Sequence, residues 1–129
     1  MKLVHTLGMA AVMLATALGA STAEAAVTFR RGQFTDRVER GQPVGDAAAA
    51  RAARDTVYWM EIGNDGAPTT VTLVWRLAGR EVSRQQLEVG RGPRWRTWGS
   101  WRARGRAGGV EVQVLDAAGA TLHTAQIAE

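Results

Sequence analysis

Cysteine is absent from the 129-residue chain, lysine occurs once (Lys2), and only two histidines are present, His5 and His123. Each shortage excludes something. Without cysteine there is no disulfide framework, no lipid attached at a lipobox cysteine and no thiolate metal site. His5 lies in the N-terminal segment, so a Ser-His-Asp arrangement could draw only on His123 as its base. A lone histidine in a strand is expected to be structural. No His/Cys cluster has metal-ligand spacing, so neither a metal nor a cofactor is expected. Long apolar runs are missing as well. The longest, Leu7 to Ala20, has 14 residues, where a membrane span needs about 20.

That short run is nonetheless informative. It follows Lys2 and is followed by Ser21 to Ala25, ending Ala23-Glu24-Ala25. A basic start, an apolar centre and small residues at the cleavage positions are the pattern of a secretory signal peptide, residues 1–25, cleaved after Ala25. The expected product, residues 26–129, is one exported domain, periplasmic or secreted, with no transmembrane segment. Loss of Lys2 and Glu24 leaves fifteen arginines against eleven acidic residues, a net charge of +4.

Along residues 26–129 the recurrent signal is short alternating runs between turns. Val27 to Phe34 opens with Val27 and Phe29 on one face. Asp36 to Gly45 reads as a loop. Residues 46–54 are Ala-rich, with Asp46 as N-cap of a loop or short helix. Thr56 to Ile62 is apolar on both faces, which suits a central strand. Asn64-Asp65-Gly66-Ala67-Pro68 is a turn and lacks the further carboxylates of a calcium loop. Thr70 to Leu77 places Val71, Leu73, Trp75 and Leu77 on one face, and Ala78-Gly79 turns into Arg80 to Val89. There the apolar positions change parity between Val82 and Leu87, a bulge or a face switch. Gly90 to Pro93 breaks the chain again; its Gly-Arg-Gly is a turn rather than a phosphate cradle. Val110 to Asp116 and Thr121 to Ile127 flank a turn at Ala117-Ala118-Gly119. About seven strands with regular turn signals argue a small antiparallel, immunoglobulin-like β-sandwich, all-β in class.

Charge and aromatic surface concentrate in Arg91 to Arg106, which holds six arginines, three of the five tryptophans and no acidic residue. Successive strand side chains point to opposite faces. Trp95, Thr97, Gly99 and Trp101 therefore share one face, expected to be the core side. Arg94, Arg96, Trp98, Arg102 and Arg104 share the other. Two readings of that second face stand side by side. It is the solvated side of a half-buried strand, or it is a basic stripe with an exposed indole that grips an anion by bidentate arginines and stacking.

Three segments carry a resemblance. Val71 to Val82 has the Trp75 and Gly79 spacing of a "vWxxxGxxv" hairpin. Gly92-Pro93-Arg94-Trp95-Arg96-Thr97-Trp98-Gly99-Ser100 supplies the most specific motif. Gly109 to Leu122, with Val112, Val114, Asp116, Gly119 and Leu122, matches a "VxVxDxxGxxL" closing hairpin. Together, over essentially all of residues 26–129, these resemble the bacterial domain-of-unknown-function family 2914 (DUF2914). The resemblance implies a small exported or membrane-tethered β-domain and brings no catalytic residues. Leu73 and Val110 depart from the His and Trp usual at those positions in the family.

The expectation for function is therefore a non-enzymatic binding domain of the cell envelope. Its partner would be an anionic polysaccharide, a lipid head group or an acidic protein patch, met by Arg94, Arg96, Trp98, Arg102 and Arg104. The alternative is an assembly module that pairs with another envelope protein through a sheet edge. Interleaved Arg and aromatic residues also suit nucleic acid, but a secretory leader argues against it.

Overall fold

The computed structural model describes residues 26–129; the expected signal peptide, residues 1–25, lies outside the described residues. Nine strands and one helix follow in chain order: β1 (Val27–Thr35), β2 (Val38–Glu39), β3 (Gln42–Pro43), α1 (Ala47–Ala52), β4 (Asp55–Asn64), β5 (Thr69–Leu77), β6 (Arg80–Val89), β7 (Gly92–Arg102), β8 (Glu111–Leu115) and β9 (Thr121–Gln126). The seven long strands form two antiparallel sheets, one ordered β1-β4-β7 and the other β6-β5-β8-β9, while β2 and β3 make a separate small ribbon. If the long strands are lettered A to G in chain order, the sheets are A-B-E and D-C-F-G. Relative to the constant-type immunoglobulin arrangement, the fourth strand has crossed to the other sheet. The all-β sandwich expected from the sequence is the observed architecture.

The core follows from side-chain parity. β4 contributes Tyr58, Met60 and Ile62, β5 contributes Val71, Leu73 and Trp75, and β8 contributes Val112 and Val114, all buried between the sheets. Trp75 is fully buried, with Phe34 edge-on at 6.4 Å and Trp101 tilted at 6.2 Å between ring centroids. Its indole N–H donates to Gln85 Oε1 at 3.3 Å, which satisfies a donor that would be costly to bury alone. Gln85 in turn donates through Nε2 to the Ser100 carbonyl, so one side chain links β6 to β7 at the open corner of the sandwich.

Local chemistry explains the connections. Ala78 and Gly79 both have positive φ, 53° and 79°, the conformation of a two-residue turn whose twist suits a hairpin. Asn64 Oδ1 accepts from the Gly66 N–H at 2.9 Å, as expected of an Asx turn. Asp46 caps α1, accepting from the Ala49 N–H at 3.0 Å, so the Ala-rich segment is a six-residue helix. The parity change in β6 is a bulge: Trp75 pairs with Ser83 and Arg76 with Glu81, leaving Val82 as the extra residue. Val82 and Leu87 consequently both pack on the core despite their opposite parity.

β4 is the central strand of its sheet, and both of its faces are buried. On the side away from the core, the β2–β3 ribbon lies over Trp59, whose indole N–H donates to the Gly41 carbonyl at 2.9 Å. Trp59 is fully buried as a result. Among the described residues, no helix is long and apolar enough to cross a membrane.

Candidate functional site

β7 forms one edge of the three-stranded sheet and, among the described residues, pairs only with β4. Its register sets Arg96 opposite Glu61, Trp98 opposite Trp59 and Arg102 opposite Asp55. Arg94, Arg96, Trp98 and Arg102 therefore lie on the outer face, as alternation requires, and all are exposed. Trp98 is 41% exposed. Arg102 is partly neutralised by Asp55, with Nε 3.5 Å from Oδ1.

Two expectations for this segment fail. Arg104 does not belong to the face, because β7 ends at Arg102. The chain then turns, with Arg104 at φ 55° and its N–H donating to the Arg54 carbonyl at 2.8 Å. Arg104 lines a separate groove of about 290 Å³ at the end of the sandwich, together with Trp101, Arg102 and Arg106. Trp95 is not a core residue either, being 39% exposed. Its ring lies against Gly90, whose missing side chain makes room for it, and its N–H donates to the Glu88 carbonyl at 3.1 Å. Parity aims Trp95 inward, but at this end the ring covers the Gly90 turn instead of entering the core. Thr97 and Trp101 are half-buried and Gly99 is buried, so the core side holds from Thr97 onward.

The structure adds residues from β1 and β4 to the predicted face. Between Phe29 and Arg31 the β1–β4 register slips by one residue. Such a bulge re-aims side chains. Here it switches the inward positions from Phe29 to Phe34 and brings both Arg30 and Arg31 to the same carboxylate. Arg30 Nε lies 3.7 Å from Glu61 Oε2 and Arg31 Nη2 lies 3.4 Å from Glu61 Oε1. The Glu61 side chain is only 8% exposed. Arg31 also sits over the Trp59 ring, 4.9 Å from its centroid, a cation–π arrangement. From the other side, the Gln42 amide, oriented with its oxygen toward the guanidinium, accepts from Arg96 Nη1 and Nη2 at 3.1 and 3.3 Å. Arg30, Arg31, Arg94 and Arg96 thus surround Glu61 in an open basin of about 510 Å³. Four cations face one buried anion.

The remaining polar candidates have structural roles. Asp36 and Glu39 both pair with Arg37, at 3.2 and 2.9 Å, and these partners, Glu39 foremost, raise the Arg37 pKa. His123 stacks on Phe29, with ring centroids 4.0 Å apart and planes 8° from parallel. No group of three His, Cys, Asp or Glu residues placed to hold a metal ion occurs among the described residues. Sequence reasoning missed Arg30, Arg31 and Glu61. The available signal was Glu61 itself, a charge inside the otherwise apolar run of β4.

Residues 68–126 match the family described as "Protein of unknown function (DUF2914)". No curated protein and no solved structure matches the chain. The matched stretch begins just before β5 and ends with β9, so it takes in the whole of the β6-β5-β8-β9 sheet and β7; it contains all three motif segments but is narrower than the expected coverage of residues 26–129. The resemblance carried by the Trp75 hairpin, the Gly92–Ser100 segment and the closing hairpin is thus a likeness to DUF2914 over residues 68–126.

Proposed function

We propose that this chain is a non-enzymatic, exported domain of the cell envelope that holds an anionic partner against the outer face of the β1-β4-β7 sheet. The observation that carries the reading is the charge imbalance around Glu61, where four guanidinium groups meet one carboxylate. The exposed Trp98 indole lies on the same face and supplies a stacking surface. Arginine suits such a task because its planar fork binds carboxylate or phosphate through two parallel hydrogen bonds. The leader-like residues 1–25 support the envelope as the setting.

The test is binding to heparin, as a polyanion probe, across an ionic-strength series. Screening shortens from about 10 Å at 0.1 M salt to about 3 Å at 1 M, so retention should fall steeply. It should fall further in Arg94→Gln/Arg96→Gln. Retention indifferent to salt and to both substitutions refutes the reading.

One observation favours a second reading, assembly through a sheet edge. β9 is an edge strand, and Thr121 to Gln126 contains no Lys, Arg, Asp, Glu or Pro, the residues that usually guard such an edge. Light scattering over a concentration series decides this. A monomer at high concentration with no co-purifying protein removes the assembly reading.

A further inference from the structure

The geometry points to a single compact phosphoryl group, held between β1 and β7 above Glu61, as the ligand of the Arg30, Arg31, Arg94 and Arg96 basin. This rests on the anion-binding reading above and narrows it from a face to a site. The argument starts from how the guanidiniums are held. Glu61 restrains Arg30 and Arg31, but at 3.7 and 3.4 Å both contacts are long. Tight charge-assisted hydrogen bonds of this type are about 2.7–2.9 Å. The carboxylate therefore positions the two groups while leaving most of their donors open.

Two further restraints act from the sides. Arg31 lies on the Trp59 ring, and Arg96 is held through both Nη atoms by the Gln42 oxygen. Trp59 is itself fixed beneath the β2–β3 ribbon. Arg94, on the same basin, makes no ion pair among the described residues. Preorganised donors lose less freedom on binding than floppy ones.

The placement selects the shape of the anion. β1 and β7 flank β4, so their backbones are about 9.5 Å apart, and arginine side chains from both can reach a group above the middle strand. A carboxylate offers two oxygens in one plane, and one guanidinium fork engages both. A phosphoryl group spreads three oxygens around a tetrahedral centre and accepts from two sides at once. The basin supplies donors from two sides.

The experiment uses the folded chain 26–129 and inorganic phosphate, with acetate as the carboxylate control, at constant ionic strength. Binding is followed by calorimetry and by the arginine Nε–H signals in nitrogen-15 NMR. One saturable phosphate site is expected, with Arg30, Arg31, Arg94 and Arg96 signals shifting together and acetate binding at least about tenfold more weakly. Arg30→Gln/Arg94→Gln removes one guanidinium from each side of the anion and should weaken phosphate about tenfold or more. Arg30→Lys/Arg94→Lys keeps the charge but loses the fork, and should also weaken it if geometry matters. Glu61→Gln removes the competing negative charge while keeping a side-chain oxygen toward Arg30 and Arg31, and should tighten binding several-fold.

Absence of a saturable site, equal affinity for acetate, or indifference to Arg30→Gln in a variant with native circular dichroism overturns the inference. Heparin retention separates it from the broader reading. Retention lost in Arg94→Gln/Arg96→Gln but unchanged in Arg30→Gln/Arg31→Gln, without a phosphate site, leaves the face and removes the basin. A phosphate site with salt-indifferent heparin behaviour does the reverse. Phosphatidylcholine vesicles with and without phosphatidic acid assign the source: displacement of phosphate by the acidic vesicles means a lipid head group, and its absence means a soluble phosphate ester.

Discussion

Gly99→Ala should destabilise the protein strongly, although it adds one methyl group. Gly99 is buried on the core side of β7, where that strand crosses close to β5 and β6. A Cβ there would overlap Gln85 Oε1 and come within 2.8 Å of Leu73 Cδ2. Two costs follow. Leu73 is fully buried in a packed core, and overpacking of this kind costs about 1–3 kcal/mol. Gln85 is free to swing away, but it is the acceptor for the buried Trp75 N–H, and leaving that donor unpaired costs about 1–3 kcal/mol. The sum is about 2–6 kcal/mol, a large share of the roughly 5–15 kcal/mol that small domains possess. At about 4–8 °C per kcal/mol for a domain of this size, Tm should drop by at least about 8 °C. The assay is thermal denaturation by circular dichroism, combined with a double-mutant cycle. Gln85→Ala already removes the Trp75 acceptor, so adding Gly99→Ala should then cost at least about 1 kcal/mol less than it does alone. A Gly99→Ala Tm within about 2 °C of the parent, or strict additivity with Gln85→Ala, refutes this account of the corner.

Two further outcomes are expected. Burial pushes the phenol of Tyr58 up to about 12 from its ordinary 10.0, so the folded state favours the neutral form. The corresponding stability, about 2–3 kcal/mol, is full below about pH 10 and is lost as pH rises from about 10 to 12. Tyr58 is the chain's one tyrosine, so its phenolate absorbance reads the titration directly, and Tyr58→Phe should abolish the alkaline loss in urea melts. Asp46→Ala removes the α1 cap and should cost about 1 kcal/mol, measurable as a lower urea midpoint with an unchanged slope.

Much of the fold is legible because β-structure writes its faces into the sequence. The apolar run Val57 to Ile62 marks β4 as central, and its outer face is indeed buried, by a ribbon that no periodicity announces. Parity change in β6 betrays the Val82 bulge because apolar residues fall on both sides of it. The β1 bulge leaves a similar trace, Val27 and Phe29 against Phe34, but parity does not say what lies opposite the extra residue. Arg30 and Arg31 are simply adjacent arginines until the register with β4 turns both toward Glu61. Alternation also overreaches where a strand runs out of neighbours. It assigns Trp95 and Arg104 to faces, but burial needs an opposing layer at Trp95, and a face needs the strand to continue to Arg104. Half of the candidate site, Arg94, Arg96 and Trp98, is therefore readable from period alone. The other half depends on which strands become neighbours.

The burial of β4 on both faces has a consequence for how this molecule opens. Hydrogen-bonded to β1 and β7 on its two sides, and covered above and below, its central amides have no route to water through fraying or loop motion. Their exchange with deuterium should proceed only through global unfolding. The slowest amides of Tyr58 to Ile62 then act as a built-in gauge, from which the stability of the whole protein can be read without denaturant.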